Sequence, residues 1–147
     1  MSELRELYQS VILDHNKSPR NRGELVGANR RAEGHNPLCG DHVIVMARVA
    51  GDQIEAAGFD GRGCAISTAS ASLMTEAVRG LSAAAVKQLF EDFHQLVTTG
   101  EAREDSELGK LEVFAGVHEF PLRVKCATLC WHALRAALEG GESVSTE

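Results

Sequence analysis

The chain has 147 residues, 44% of them hydrophobic, and a formal net charge of -6. This length fits one domain with a continuous core, and the scattered basic residues do not favour nucleic acid or an anionic membrane as a partner. No apolar run reaches the roughly 20 residues of a membrane span, and the N-terminal segment lacks the pattern of a signal peptide. We therefore expect a cytoplasmic protein.

The N-terminal half predicts one helix and one hairpin. Apolar residues at helical spacing, ended by Pro19, predict an amphipathic helix over residues 3–16. Residues 20–33 carry few apolar side chains and could form either a loop or an edge strand. A β-branched run at 43–49 and a second segment at 53–60 flank a Gly-Asp turn, which predicts two antiparallel strands.

The C-terminal half predicts three helices. The first begins at Ala65 in a stretch rich in small residues, and the second follows a Ser82 cap and is closed by Gly100. Pro121 favours an extended approach to a last helix over residues 127–139.

Together these elements predict an α+β fold, in which a small antiparallel sheet of about three strands has helices packed on one face. We expect a single domain over residues 1–139. The short polar segment 140–147 is predicted to be a flexible tail.

The segment around Cys39 carries two metal-ligand residue types one position apart. In an extended segment residues two apart point to the same side, so the Cys39 thiolate and the Asp41 carboxylate can face one cation. Gly40 lies between them and lets the backbone come close. We interpret this segment as half of a cation site.

Cys64 and Cys126 could supply the other half. Each opens a run that predicts a helix, and the positive end of a helix dipole favours a thiolate there. With Cys39 and Asp41 they make four ligands, a set that suits tetrahedral zinc. The spacing is loose and contains no CxxC pair, which leaves separate burial of each cysteine as an open alternative; disulfides are not expected in a reducing compartment.

Three further residues are interpreted from their surroundings. Cys130 lies between Leu129 and Trp131, an apolar setting that favours core packing over metal binding. Three thiolates and a carboxylate around Zn²⁺ would leave a net negative charge, and Arg123 is the best candidate for a direct thiolate contact, with a solvated surface charge as the alternative. Among the histidines, His35 is a candidate for contacting a metal ligand without binding the metal itself.

Three motifs, in this order, resemble the SufU/IscU family of iron–sulfur cluster assembly proteins, which includes the NifU N-terminal domain. They are Asn36-Pro37-Leu38-Cys39-Gly40-Asp41, Gly61-Arg62-Gly63-Cys64-Ala65-Ile66-Ser67 and Lys125-Cys126-Ala127-Thr128-Leu129. The resemblance extends over almost the whole chain. Lys125 stands where IscU-type members usually have histidine, and the interval between the second and third cysteines is long; both features favour the SufU branch.

The resemblance implies that Cys39, Asp41, Cys64 and Cys126 bind Zn²⁺. It also implies that a SufS-type cysteine desulfurase supplies persulfide sulfur, so the leading hypothesis is a zinc-dependent sulfurtransferase that passes sulfur to downstream iron–sulfur scaffold proteins. Cys39 is the expected acceptor because its glycine-bearing loop can move away from the metal.

The alternative hypothesis is a scaffold on which the same four ligands assemble a [2Fe-2S] cluster, because thiolates serve such clusters as well as zinc. A purely structural zinc site fits less well, since such sites usually use only cysteine and histidine.

Overall fold

The computed structural model describes residues 2–145 of the chain, and their side chains from residue 6 onward. In chain order the elements are helix α1 (Ser2–Lys17), strands β1 (Arg30–Asn36), β2 (Asp41–Ala50) and β3 (Gln53–Arg62), helices α2 (Ala65–Ala77) and α3 (Ala83–Thr99), a 3-10 helix (Gly109–Glu119), helix α4 (Pro121–Leu138) and strand β4 (Ser143–Ser145). The predicted α+β class is confirmed. None of the helices in this part of the chain has both the length and the apolar character that crossing a membrane requires.

The sheet has four strands in the order β3-β2-β1-β4, one more than the sequence predicts. The first three strands are antiparallel, as predicted, and β4 runs parallel to β1. This additional strand, Ser143–Ser145, comes from the predicted flexible tail. Its polar residues carry no strand pattern of their own, and it forms because the edge of β1 offers unpaired backbone groups. Residues 146 and 147 of that tail lie outside the described residues.

The other edge of the sheet is covered by the segment that precedes β1. The Gly23 N–H donates to the Phe59 carbonyl at 2.8 Å, and the Phe59 N–H donates to the Asn21 carbonyl at 3.1 Å. Of the two possibilities predicted for residues 20–33, the loop occurs up to residue 29. A strand begins at Arg30, but it lies between β2 and β4 and not at the edge of the sheet.

The helices α2 and α4 pack on one face of the sheet, as predicted. Alternate residues of β2, among them Val43, Val45 and Ala47, are buried against them. Trp131 of α4 stacks on Phe93 of α3, with ring centroids 5.0 Å apart, and this contact packs α3 against α4.

The ends of α3 and the start of α4 test the helix boundaries predicted from the sequence. The Ser82 hydroxyl accepts the Ala85 N–H at 3.1 Å and Gly100 closes α3 in a left-handed conformation, so both predicted ends of α3 are confirmed. Helix α4 begins at Pro121 and not at Ala127, so the predicted extended approach is wrong. Proline is favoured in the first helical turn, where its missing N–H has no partner to lose. Cys126 therefore lies inside α4 and not at its start.

Candidate metal centre

The turn between β1 and β2 places Cys39 beside Asp41. Asn36 and Asp41 pair at the end of the ladder, and the Cys39 N–H donates to the Asn36 carbonyl at 3.3 Å. Gly40 has a φ of +70°, a left-handed conformation that glycine adopts without strain. The chain at Cys39 is thus a tight turn and not the extended segment that the sequence suggested, although the two side chains still converge.

Asp41 is fully buried at the start of β2. Its Oδ1 accepts the Cys64 N–H at 2.9 Å, whereas Oδ2 has no hydrogen-bond partner among the described residues. Burial of a carboxylate oxygen is unfavourable unless a donor or a cation satisfies it. Asp41 Oδ2 is therefore a fitting ligand atom for a metal ion.

Gly63 makes the approach between Asp41 and Cys64 possible. A Cβ atom at this position would lie 2.8 Å from Asp41 Oδ1 and 3.0 Å from the Ser67 hydroxyl oxygen. Any side chain would therefore push the start of α2 away from the carboxylate.

Cys64 is the N-cap residue of α2, as its predicted place at a helix start requires. Its Sγ accepts the Ser67 N–H at 3.4 Å. A hydrogen bond from the Cys126 thiol is the largest influence on the Cys64 side chain and lowers its pKa to about 6, against the opposing effect of burial. The Cys64 sulfur thus carries negative charge readily.

Cys126 is fully buried in α4 and meets the other ligands there. Ligand atoms of Cys39, Asp41 and Cys126 lie within 4.8 Å of one another. The contact with Cys64 and then burial raise the pKa of Cys126. Cys64 is not one of these three mutually close residues, and it meets them through its contact with Cys126. Three sulfurs and one carboxylate oxygen match the donors that Zn²⁺ accepts, so the residues fit the predicted metal.

Arg123 stands in the first turns of α4, exposed at the solvent boundary of the site. Negative charge on Cys64, followed by a hydrogen bond to Cys126, raises the pKa of Arg123. The guanidinium therefore lies close enough to both sulfurs to act on their charge.

Two other predicted residues lie elsewhere. Cys130 is buried in the core, with its Sγ 3.5 Å from the Ser70 hydroxyl oxygen, and burial raises the pKa of Cys130 to about 12. This agrees with the apolar setting of Cys130 in the sequence. His35 is exposed on the sheet face opposite the cysteines, beside His42 at a ring-centroid distance of 6.3 Å, so the suggestion that it supports a ligand is wrong. Strand alternation sends neighbouring Asn36 inward and His35 outward.

The sequence did not reveal two features of the site. The buried Asn36 side chain contacts the Cys126 sulfur at 3.7 Å, and only its asparagine–proline context hinted at a turn. Three large apolar side chains in the ligand segments are also exposed by about three fifths of their surface; they are Leu38, Phe120 and Leu122. We call these three residues the apolar rim.

Comparison with known proteins identifies relatives of this chain. Residues 7–137 match the family described as the NifU-like N terminal domain. The chain is 42% identical to "Zinc-dependent sulfurtransferase SufU" of Bacillus subtilis (strain 168), over 95% of this chain and 97% of that protein. It is also 42% identical to "Iron-sulfur cluster assembly scaffold protein IscU" of Streptococcus pyogenes serotype M1, over 95% of this chain and 87% of that protein.

A solved structure is similar over nearly the same length. It is described as a putative iron–sulfur cluster assembly scaffold protein for the SUF system from Fervidobacterium islandicum AW-1, and it superposes with a TM-score of 0.82 at 33% identity, covering 90% of this chain and 97% of that one. The family resemblance seen in the three motifs is confirmed by these matches. The chain belongs to the family of NifU-like N-terminal domains.

Proposed function

We propose that this chain acts in cytoplasmic iron–sulfur cluster assembly as a zinc-dependent sulfurtransferase that accepts persulfide sulfur from a SufS-type cysteine desulfurase. The observation that carries the proposal is the cluster of Cys39, Asp41 and Cys126, in which one buried carboxylate oxygen has no hydrogen-bond partner within residues 2–145. Similarity to the Bacillus protein named as a zinc-dependent sulfurtransferase supports the same reading.

Four residues would hold the zinc ion: Cys39, Asp41, Cys64 and Cys126. They come from the β1–β2 turn, the start of β2, the cap of α2 and the second turn of α4. A bound Zn²⁺ keeps its thiolate ligands deprotonated and shields them from other reagents. The ligands thereby connect the sheet to both helices that cover it.

Cys39 is the acceptor in this proposal because it is only partly buried and lies beside Gly40 in a turn, which can move away from the metal more easily than a helix can. It is half-buried in the turn, whereas Cys126 is fully buried and Cys64 accepts the Ser67 N–H. The Cys39 thiolate attacks the outer sulfur of the desulfurase persulfide and forms a new S–S bond. The S–S bond of the donor breaks, and the desulfurase cysteine leaves as a thiolate, so no external oxidant or reductant is required.

Two features at the solvent boundary suit the partner. Arg123 offsets the negative charge of the Cys64 and Cys126 sulfurs while the donor persulfide approaches. The apolar rim offers exposed hydrophobic contact area on both sides of the site, as docking surfaces commonly do. After transfer, sulfur would pass to downstream iron–sulfur scaffold proteins.

Persulfide mapping tests this proposal directly. The protein is mixed with desulfurase and cysteine, and the added sulfur is located by mass spectrometry under non-reducing conditions. We expect the sulfur on Cys39, its loss in Cys39→Ser, and normal labelling in the matched variant Cys130→Ser, whose sulfur is buried in the core. Sulfur on Cys64 or Cys126 with Cys39 unmodified would overturn the assignment.

A scaffold for a [2Fe-2S] cluster is the second candidate function, and similarity to the Streptococcus protein named as a scaffold favours it. Metal and acid-labile sulfide analysis of protein purified without air separates the two. Zinc without sulfide supports the sulfurtransferase. About two irons and two sulfides per chain would support the scaffold.

A further inference from the structure

Asn36 is a fully buried carboxamide between the Cys39 turn and helix α4. It is the last residue of β1, and the alternation of that strand directs it, like Gly34 and Ala32, to the helix side of the sheet. A buried carboxamide needs partners for its oxygen and its nitrogen, because each unsatisfied end would be unfavourable. The identity of those partners indicates what the residue does.

The oxygen end of Asn36 holds the turn. Its Oδ1 accepts the Leu38 N–H at 3.2 Å, and its backbone carbonyl accepts the Cys39 N–H at 3.3 Å. Asparagine commonly shapes a turn in this way. The position of Cys39 therefore depends directly on Asn36.

The nitrogen end of Asn36 faces a ligand sulfur. Nδ2 lies 3.7 Å from Cys126 Sγ. The Leu38 N–H can only donate, so the amide oxygen must face it and the amide N–H must face the sulfur. Such a hydrogen bond strengthens when the acceptor carries charge, as a sulfur does when it binds a metal, so Asn36 would hold the Cys126 sulfur more firmly as a metal ligand.

We propose that Asn36 is a positioning residue that couples the Cys39 turn to the Cys126 thiolate through one side chain. It retains Cys126 as the buried anionic ligand while it holds Cys39 in the turn that a donor can reach. The part of this proposal that concerns sulfur rests on the proposed function, whereas the part that concerns metal retention does not. A turn alone would require only the oxygen end, so the amide nitrogen is what separates this role from a structural one.

Two substitutions separate the two ends of the side chain. Asn36→Asp keeps an oxygen for the Leu38 N–H but directs a second oxygen at the Cys126 sulfur. Asn36→Ser keeps a short acceptor for the turn, introduces no charge and cannot reach the sulfur. Asn29→Asp and Asn29→Ser are matched controls, because Asn29 also bonds by both ends, to the Val49 N–H and carbonyl at 2.8 Å each, at the far end of β1.

Zinc retention against a chelator and the absorption spectrum of the cobalt-substituted chain are the measurements that do not require the desulfurase. We expect both Asn36 variants to lose zinc at least about ten-fold more readily than the unchanged chain, Asn36→Asp more than Asn36→Ser, and to shift the thiolate-to-cobalt bands. Both Asn29 variants should match the unchanged chain. A folded Asn36→Ser chain with unchanged zinc retention and an unchanged cobalt spectrum would overturn the proposal.

Folding is checked by thermal melting of every variant. If Asn36→Asp does not fold, the neutral Asn36→Ser variant decides. Loss of folding in Asn36→Ser, with Asn29→Ser folded, would reduce Asn36 to a structural role and also overturn the proposal.

Persulfide mapping of the same variants tests the sulfur part. We expect a smaller fraction of sulfur on Cys39 in Asn36→Ser than in the unchanged chain. An unchanged fraction would overturn that part. Absence of sulfur from Cys39 in the unchanged chain would refute the sulfurtransferase function, while the zinc and cobalt measurements would still test Asn36.

Discussion

The carboxylate of Asp41 joins strand β2 to the start of helix α2, because its Oδ1 accepts the Cys64 N–H at 2.9 Å. Its Oδ2 is buried without a hydrogen-bond partner among the described residues. Oδ1 thus holds the start of β2 against the start of α2, and Oδ2 can bind a cation. A buried carboxylate charge is unfavourable in the metal-free chain, and a bound zinc ion would stabilise it.

Asp41→Asn is expected to change stability in opposite directions with and without zinc. Asparagine keeps an oxygen for the Cys64 N–H and removes the buried charge, so the free energy of unfolding of the metal-free chain should rise by about 1 kcal/mol. The additional stability from zinc should fall, because the anionic ligand is lost. Urea unfolding of chelated and zinc-loaded protein measures both. Equal destabilisation in the two forms, with no change in exposed Asp60→Asn, would contradict this prediction.

Zinc removal is expected to lower the melting temperature of the whole domain. The ligands lie in a turn, a strand and two helices, so the ion links elements that are distant in the chain. A ligand present at 100 times its Kd stabilises the folded state by about 2.7 kcal/mol. Thermal melts before and after chelation check this, and Cys130→Ser should show the same zinc dependence as the unchanged chain. An unchanged melting temperature after verified zinc removal would count against the linking role.

Charge on the apolar rim is expected to impair sulfur acceptance without affecting zinc. Leu38→Glu and Phe120→Glu would each place a carboxylate in the surface proposed to meet the desulfurase, and the rate of persulfide formation should fall about ten-fold or more. Zinc content should stay unchanged, because neither side chain is a ligand. Val26→Glu is the control, since Val26 is 84% exposed in the loop before β1. Normal rates in both rim variants would exclude this surface as the docking site.

Acid is expected to destabilise the fold through His15, which is buried between α1 and α2. Its Nδ1 lies 2.7 Å from the Ser72 hydroxyl oxygen, and that oxygen also accepts the Arg20 N–H at 2.8 Å. Burial, followed by the charge of Arg20, lowers the pKa of His15 below its ordinary value of 6.5. The unfolded chain therefore binds this proton first as the pH falls. Stability from the neutral imidazole is complete above about pH 6.5 and decreases below it.

The pH dependence of the free energy of unfolding can be measured by denaturant unfolding of chelated protein between about pH 7.5 and 5.5. One proton changes this free energy by at most about 1.4 kcal/mol per pH unit. His15→Gln should flatten the dependence. It should not abolish it, because burial also lowers the pKa of His132, and the lowered pKa of Cys64, about 6, lies in the same range. The exposed His35→Gln is the matched control. An equal slope in His15→Gln and the unchanged chain would show that His15 does not carry the effect.

Features set by neighbouring residues were readable in the sequence. The Ser82 cap, the left-handed Gly100 and the hairpin between β2 and β3 each depend on a few consecutive residues, so their local pattern was sufficient. The start of α4 was misplaced because Pro121 is compatible with both an extended approach and the first turn of a helix. Where a local pattern allows two conformations, tertiary packing selects one of them.

The sequence by itself determined the residue types of the metal centre and the family, because the motifs around Cys39, Cys64 and Cys126 are local. Only the tertiary structure decided that Cys126 lies inside a helix, that Asn36 bonds its sulfur, and that the tail forms β4 on the edge of β1. These contacts join residues far apart in the chain. Their geometry depends on how the sheet and helices bury their shared apolar surface, and no short stretch of sequence encodes that arrangement.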